Sequence, residues 1–159
     1  MGIDYHESPF AKHLAWAATN GLVGLSLVGL CGIAGGAIVQ QAALITGCII
    51  GGMSTAAMVS PSDTFLRMGP YLGVGLGVVI AASLGGMFFP GSTLLMNVSL
   101  YGGLGLFGLY AAHDAQRVLH DAQVAGRFDP VSEQMGLYLD SINIFVRVVQ
   151  ILMMQQRRK

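Results

Sequence analysis

Two long stretches of this chain carry no charged side chain. From His13 to Ser62, and again from Met68 to His113, there is no Asp, Glu, Lys or Arg. In lipid, a backbone must satisfy its own N–H and C=O groups, and a single segment does so only as a helix. Apolar, charge-free runs longer than about 18 residues therefore read as membrane-crossing helices. Composition agrees: 53% of residues are hydrophobic and 10% charged, against about 25% charged in an ordinary soluble domain. The expected fold class is all-α, a polytopic transmembrane helix bundle.

Five spans are expected, over residues 14–35, 40–60, 70–89, 97–116 and 135–154. They form one membrane domain, 1–159, with a short polar N-terminus (1–13) and a basic tail (155–159). Turn residues punctuate it: "GGA" near position 36, "SPSD" at 60–63, "FPGS" at 89–92 and "GRFDP" at 126–130. Gly69, Gly73 and Gly77 recur every fourth residue, as do Gly47, Gly51 and Thr55. Small residues so spaced let helices approach closely in lipid, so these are expected to be packing faces of the bundle. Cys31 and Cys48 both fall in apolar runs and read as small buried hydrophobes rather than a disulfide. "MGIDYHESPF" has no basic region running into an apolar core, so no signal peptide is expected there.

The net charge is zero and no basic patch suggests nucleic acid. Counting spans alternately puts Lys12, Arg67, Arg117 and Arg127 on one face of the membrane, while "GGAIVQQ" and "FPGSTLLMN" opposite are uncharged. The positive-inside rule assigns the charged face to the cytoplasm or the mitochondrial matrix. The tail Arg157, Arg158 and Lys159 conflicts with that rule if the fifth segment spans fully. It agrees if that segment is short or re-entrant, and both alternatives stand at this point. No nucleophile–base pair, His/Cys metal cluster or cofactor loop is visible, so neither catalysis nor a bound cofactor is expected.

The last two segments hold the chemistry. In "MGLYLDSINIFVRVVQILMM", Asp140, Asn143, Arg147 and Gln150 are spaced 3, 4 and 3, which aligns them as one stripe on a helix. A charge at membrane depth costs at least about 2.5–3.5 kcal/mol, so this helix is expected inside the bundle with its stripe facing water or partner groups. Gly126 stops the preceding helix, and Asp129 with Pro130 starts the last one as N-cap and first helical residue. A symmetric antiparallel hairpin then places Asp114 opposite Ser141, one residue from Asp140. Two carboxylates at one level in a low-dielectric site do not both ionise easily and share a proton. Deprotonated, they offer hard oxygens to a cation such as Ca²⁺. The plain alternative is charge balance, Asp114 with Arg117 and Asp140 with Arg147.

"HDAQRVLHDAQ" followed by "LYLDSINIFVRVVQILM" resembles the C-terminal signature of the Bax inhibitor motif-containing transmembrane family. "SPFAKHLAW", "MGPYLGVGLG", "SLGGMFFP", "SLYGGLGLFGLY" and "FDPVSEQMGLYLDSINIFVRV" extend the resemblance along nearly the whole chain, to the mitochondrial, growth-hormone-inducible branch. It implies that the aspartates at 114 and 140 face each other as the pH-sensing, cation-binding pair; the residues themselves add His113, Arg117, Asn143 and Arg147 as the expected polar support. It also implies a seven- or eight-helix fold with the last helix central, a pH-regulated leak or exchange of Ca²⁺ and H⁺, inner mitochondrial membrane residence, cristae organisation and resistance to apoptosis. Against that pattern this chain has five spans, lacks the early helices and their latch arginine, and reads "HDAQ" where "YDTQ" is usual. It is expected to be a C-terminal portion, and to be unstable or oligomeric alone. Its partners would be the lipid bilayer and either other membrane proteins or a missing N-terminal helical part. The alternatives are a non-transporting scaffold that binds partner proteins, or a truncated inactive isoform.

Overall fold

The protein is described here by a computed structural model covering residues 8–61, 63–124 and 129–157. Its helices are α1 (Pro9–Ala34), α2 (Gly36–Val59), α3 (Gly69–Phe88), the short α4 (Thr93–Asn97), α5 (Gly103–Val124) and α6 (Pro130–Arg157). A 3₁₀ turn (Leu66–Met68) leads into α3, and a π-helical turn (Val98–Gly102) joins α4 to α5. With α4 and that turn, α5 runs as one helix from Thr93, so among the described residues five helices are long and apolar enough to cross a membrane. The described residues contain no strand, and the fold class is the all-α membrane bundle expected from the charge-free runs.

Local chemistry sets the helix ends. Pro9 and Pro130 each take the first helical position, where a proline's missing N–H is not needed. α1 therefore begins before position 14, and α6 before 135. "GGAIVQQ", expected as a loop, is helical from Gly36. Gly35 alone makes the turn, at φ 81°, a left-handed conformation that favours glycine. Ser92 caps α4, its hydroxyl accepting from Leu95 N at 3.4 Å, so the fourth span starts ahead of residue 97. Gly126, Arg127, Arg158, Lys159 and the N-terminal residues 1–7 lie outside the described residues.

The core lies between α2, α5 and α6. Ile38 and Ala42 of α2, Phe107 of α5, and Ile144, Val148 and Val149 of α6 form one buried cluster. Ala57, Ala112 and Ala115 form a second, where small side chains bring α2 and α5 close together. α6 is covered on several sides, whereas α1 is peripheral and its one buried residue is Lys12. The expected glycine packing faces are corrected. A Cβ added at Gly47, Gly51, Gly73 or Gly77 would meet no other atom, so these positions face outward. Of the expected positions Gly69 alone makes a close approach, against His113; the others are at Gly75 against Leu106 and Gly103 against Arg147. Cys31 and Cys48 are free thiols, and Cys48 is exposed on the bundle's outer surface rather than buried.

The two ends of the bundle differ in charge. At one end, Lys12 of α1 pairs with Asp129, and Arg117 of α5 reaches Glu133 of α6 at 3.8 Å. Arg67 lies at the same end, in the connection that α5 grips through Gln116. α6 is unbroken from Pro130, and Arg157 at its far end shares a cleft with the 89–92 turn. The last segment thus runs the length of the bundle, and Arg157 emerges at the end opposite Lys12, Arg67 and Arg117. The re-entrant alternative is not the one observed.

Candidate functional site

Three contacts fix the register of α5 against α6. The Asp114 carboxylate lies directly against Gly136, Arg117 faces Glu133, and Arg147 lies against Gly103. Each pair sums to 250 in residue number, not to the 255 of a symmetric hairpin. Asp114 is therefore opposite Gly136 rather than Ser141, and Asp140 is level with Tyr110. The physical cause is Gly136, whose missing side chain leaves room for the carboxylate on the α6 backbone. Position 140 is four residues, about 6 Å, further along α6. The acids are staggered by one turn, yet each lies within reach of the other's charge, and Tyr110 within reach of both.

Their surroundings differ. Asp140 is 6% exposed, and its Oδ2 is buried with no hydrogen-bond partner among the described residues. Asp114 is half-buried and its Oδ1 lies 3.0 Å from Nδ1 of the adjacent His113. The His113 ring also meets Tyr110 edge-on, 6.5 Å between centroids, and its Nε2 lies 3.2 Å from where a Cβ would stand on Gly69. The site thus joins α3, α5 and α6. Among the described residues no three His, Cys, Asp or Glu side chains converge.

Neither charge-balance pairing forms. Arg117 extends to Asp121 at 3.6 Å and Glu133 instead of Asp114. Arg147 turns away from Asp140, donates to the Ser99 carbonyl in the π-helical turn and stacks over Phe107 at 5.1 Å from the ring centre. A π turn leaves carbonyls without their usual helical partners, and the guanidinium takes one of them. Its Nε is buried without a partner. The stripe on α6 therefore splits. Asp140 points into the bundle and Arg147 to α5, Asn143 folds back on the Leu139 carbonyl at 2.9 Å, and Gln150 is exposed.

Three contributors escaped the sequence reading. Tyr110 reads as one more apolar residue in a span. Gln116, 3% exposed, accepts from Phe65 N at 2.7 Å and Leu66 N at 3.1 Å, and donates to the Pro61 carbonyl at 2.9 Å. It clamps the α2–α3 connection to α5, and its place in "HDAQ" was the available signal. Lys12, counted only among the charges on one membrane face, is 2% exposed and paired with Asp129. Asp129 is also the α6 N-cap, accepting from Val131 N and Ser132 N, each at 3.2 Å. Burial pushes its carboxyl up, but hydrogen bonds from Lys12 and Ser132 and the Lys12 charge outweigh this and hold it below its ordinary value.

Five apolar spans with two carboxyl groups lodged between the last two helices define a multi-pass integral membrane protein. A family model described as inhibitor of apoptosis-promoting Bax1 matches residues 1–157, and the chain belongs to this Bax inhibitor family. Growth hormone-inducible transmembrane protein of Rattus norvegicus is 42% identical over 168 residues, covering 100% of this chain and 48% of that protein. Bax inhibitor 1 of Arabidopsis thaliana is 30% identical over 100 residues, covering 63% of this chain and 40% of that protein. Bax inhibitor 1 of Homo sapiens is 29% identical over 122 residues, covering 77% and 51% respectively. The chain spans about half the length of the curated relatives it matches. No solved structure matches it.

Proposed function

We propose that this chain forms the proton- and cation-responsive part of a membrane leak or exchanger for Ca²⁺ and H⁺, and that its role is not enzymatic. The observation that carries this reading is the buried, unpartnered Oδ2 of Asp140 beside Asp114. A carboxylate inside a bundle, without a cationic partner, calls for neutralisation by a proton or a passing cation. When the pair holds a proton, the α5–α6 interface stays closed. When the proton leaves, two repelling carboxylates favour opening and cation entry. Ca²⁺ prefers six to eight oxygen ligands. Two carboxyl groups supply too few for a resident ion and suit one in transit.

The test is reconstitution in liposomes with Ca²⁺ and H⁺ flux recorded against pH. Flux rising with pH supports the reading, and a background-level trace at every pH from well-folded protein overturns it. The proposed location is the mitochondrial inner membrane, with roles in cristae organisation and resistance to apoptosis. The resemblance to the mitochondrial branch supports the location and the cristae role, the family's description as inhibitor of apoptosis-promoting Bax1 supports the last role, and subcellular fractionation tests the location. A non-transporting scaffold is the second reading, favoured by Gln116 and His113, whose hydrogen bonds give the signature residues structural work.

A further inference from the structure

At the end of the bundle away from the aspartates, α3, α4 and α6 enclose an open cleft of about 720 Å³. Phe89, Leu95 and Met153 form apolar walls, while Thr93, Gln150 and Arg157 present polar groups to the same space. Among the described residues no acidic one lines it. A second cavity of about 240 Å³ adjoins it, sharing Met153 and Arg157. Beneath the first, Arg147 is anchored to the carbonyl of the lining residue Ser99, so a second cation stands behind the floor. Gln150 is exposed two turns inside the end of a membrane-spanning helix, where lipid tails alone would leave its amide unpaired.

We propose that this cleft binds an anionic phospholipid of the surrounding bilayer. Arg157, exposed on the last turn of α6, meets the headgroup phosphate at the interface. Thr93 and Gln150 supply neutral donors below it, and the acyl chains lie against Phe89, Leu95 and Met153. Charge complementarity selects this occupant: the lining is cationic and amphipathic, and it opens where a span meets the headgroup layer. A zwitterionic lipid carries its own cation and gains less from Arg157. The proposal is independent of ion flux through the aspartate pair.

The experiment uses the full chain in mild detergent, titrated with phosphatidylglycerol, phosphatidylcholine or inorganic phosphate, with bound lipid counted by native mass spectrometry and unfolding midpoints measured. One basic residue near an anionic lipid surface corresponds to about fivefold tighter binding of phosphatidylglycerol than phosphatidylcholine. Arg157→Gln abolishes that preference while retaining the fold, and Gln150→Leu weakens it in part. Arg157 also complements the α6 dipole, but losing that role alone lowers the midpoint equally in both lipids. Equal binding of the two lipids overturns the proposal. So does a preference unchanged in Arg157→Gln, or a phosphate effect as large as that of phosphatidylglycerol. A cleft occupied by a helix of another chain, excluding lipid altogether, overturns it as well.

Discussion

The carboxylate of Asp114 rests on the backbone of Gly136, and that contact sets the level at which α5 meets α6. A Cβ at position 136 would occupy the space of Oδ2. Gly136→Ala therefore displaces the Asp114 side chain. It also improves helix propensity by about 1 kcal/mol, which offsets the clash. The net stability change is expected to be small in wild type. In an Asp114→Ala background the same substitution is stabilising by about 0.5–1 kcal/mol, because only the propensity gain remains. Denaturation of the four proteins in the cycle measures the coupling. Identical effects of Gly136→Ala in both backgrounds would show that the contact does not constrain the helices.

Gln116 joins the α2–α3 connection to α5 through both ends of its carboxamide. Gln116→Leu leaves two backbone N–H groups and a carbonyl unmatched. Each buried unsatisfied group costs about 1–3 kcal/mol, and partial access of water to this connection keeps the expected total near about 2–3 kcal/mol. Gln116→Glu retains the acceptor but sets a carboxylate oxygen against the Pro61 carbonyl, so it rescues only in part. Thermal unfolding, with limited proteolysis of residues 60–66, reports both effects.

Parts of this architecture were legible in the sequence for definite physical reasons. The first four spans were, because a charge-free run has few ways to satisfy its backbone in lipid. The start of α6 was, because Asp129 and Pro130 suit an N-cap and a first helical position whatever surrounds them. The register of α5 on α6 was not. It depends on which side chain fits over Gly136 and on Arg117 reaching Glu133, and symmetry about the turn carries neither fact. The split of the α6 stripe was equally hidden. Helical spacing aligned Asp140 with Arg147, but the π-helical turn at Val98–Gly102 offers Arg147 a carbonyl that no local pattern foretells. The pairing of Lys12 was hidden because its partner is 117 residues away.

The Lys12–Asp129 pair ties peripheral α1 to the start of α6. Because the Asp129 carboxyl is held below its ordinary value of 3.8, the pair's contribution is fully present above that pH. It is lost as pH falls through the lowered folded value. Protection of the α1 amides, taken relative to their intrinsic exchange rates, is expected to be flat from neutrality down to about pH 4 and to fall below it. Asp129→Asn should already exchange fast at neutral pH and lose this dependence. It leaves Lys12 buried and unpaired, which costs about 3–5 kcal/mol in comparable pairs. Lys12→Met should cost less, since Asp129 keeps its bonds from Val131 N and Ser132 N.

Arg147 supports the π-helical turn and packs on Phe107 without touching the acid pair. Arg147→Lys keeps the charge but loses the planar fork and most of the stacking, so about 1–2 kcal/mol of stability is expected to go. If flux is pH-dependent, its midpoint should be unchanged in this variant. A shifted midpoint would show instead that Arg147 acts as a latch on the aspartates. Flux against pH, with an unfolding midpoint for the same preparation, separates the two outcomes.

Asp114 and Asp140 give the decisive case. They are staggered by a turn, differently held and within each other's field, so on the proposed reading they bind and release a proton as a unit. Asp114→Asn leaves the amide in reach of His113 but removes the charge that acts on Asp140. Asp140→Asn removes the buried carboxyl itself. Each single substitution should abolish the pH dependence of flux, and the double substitution should add little, because either change dismantles the same unit. Asn matches Asp in shape, so the packing over Gly136 is kept and unfolding midpoints should move little. Single effects that add fully, or pH profiles that neither substitution alters, would make the two acids packing residues and leave the scaffold reading standing.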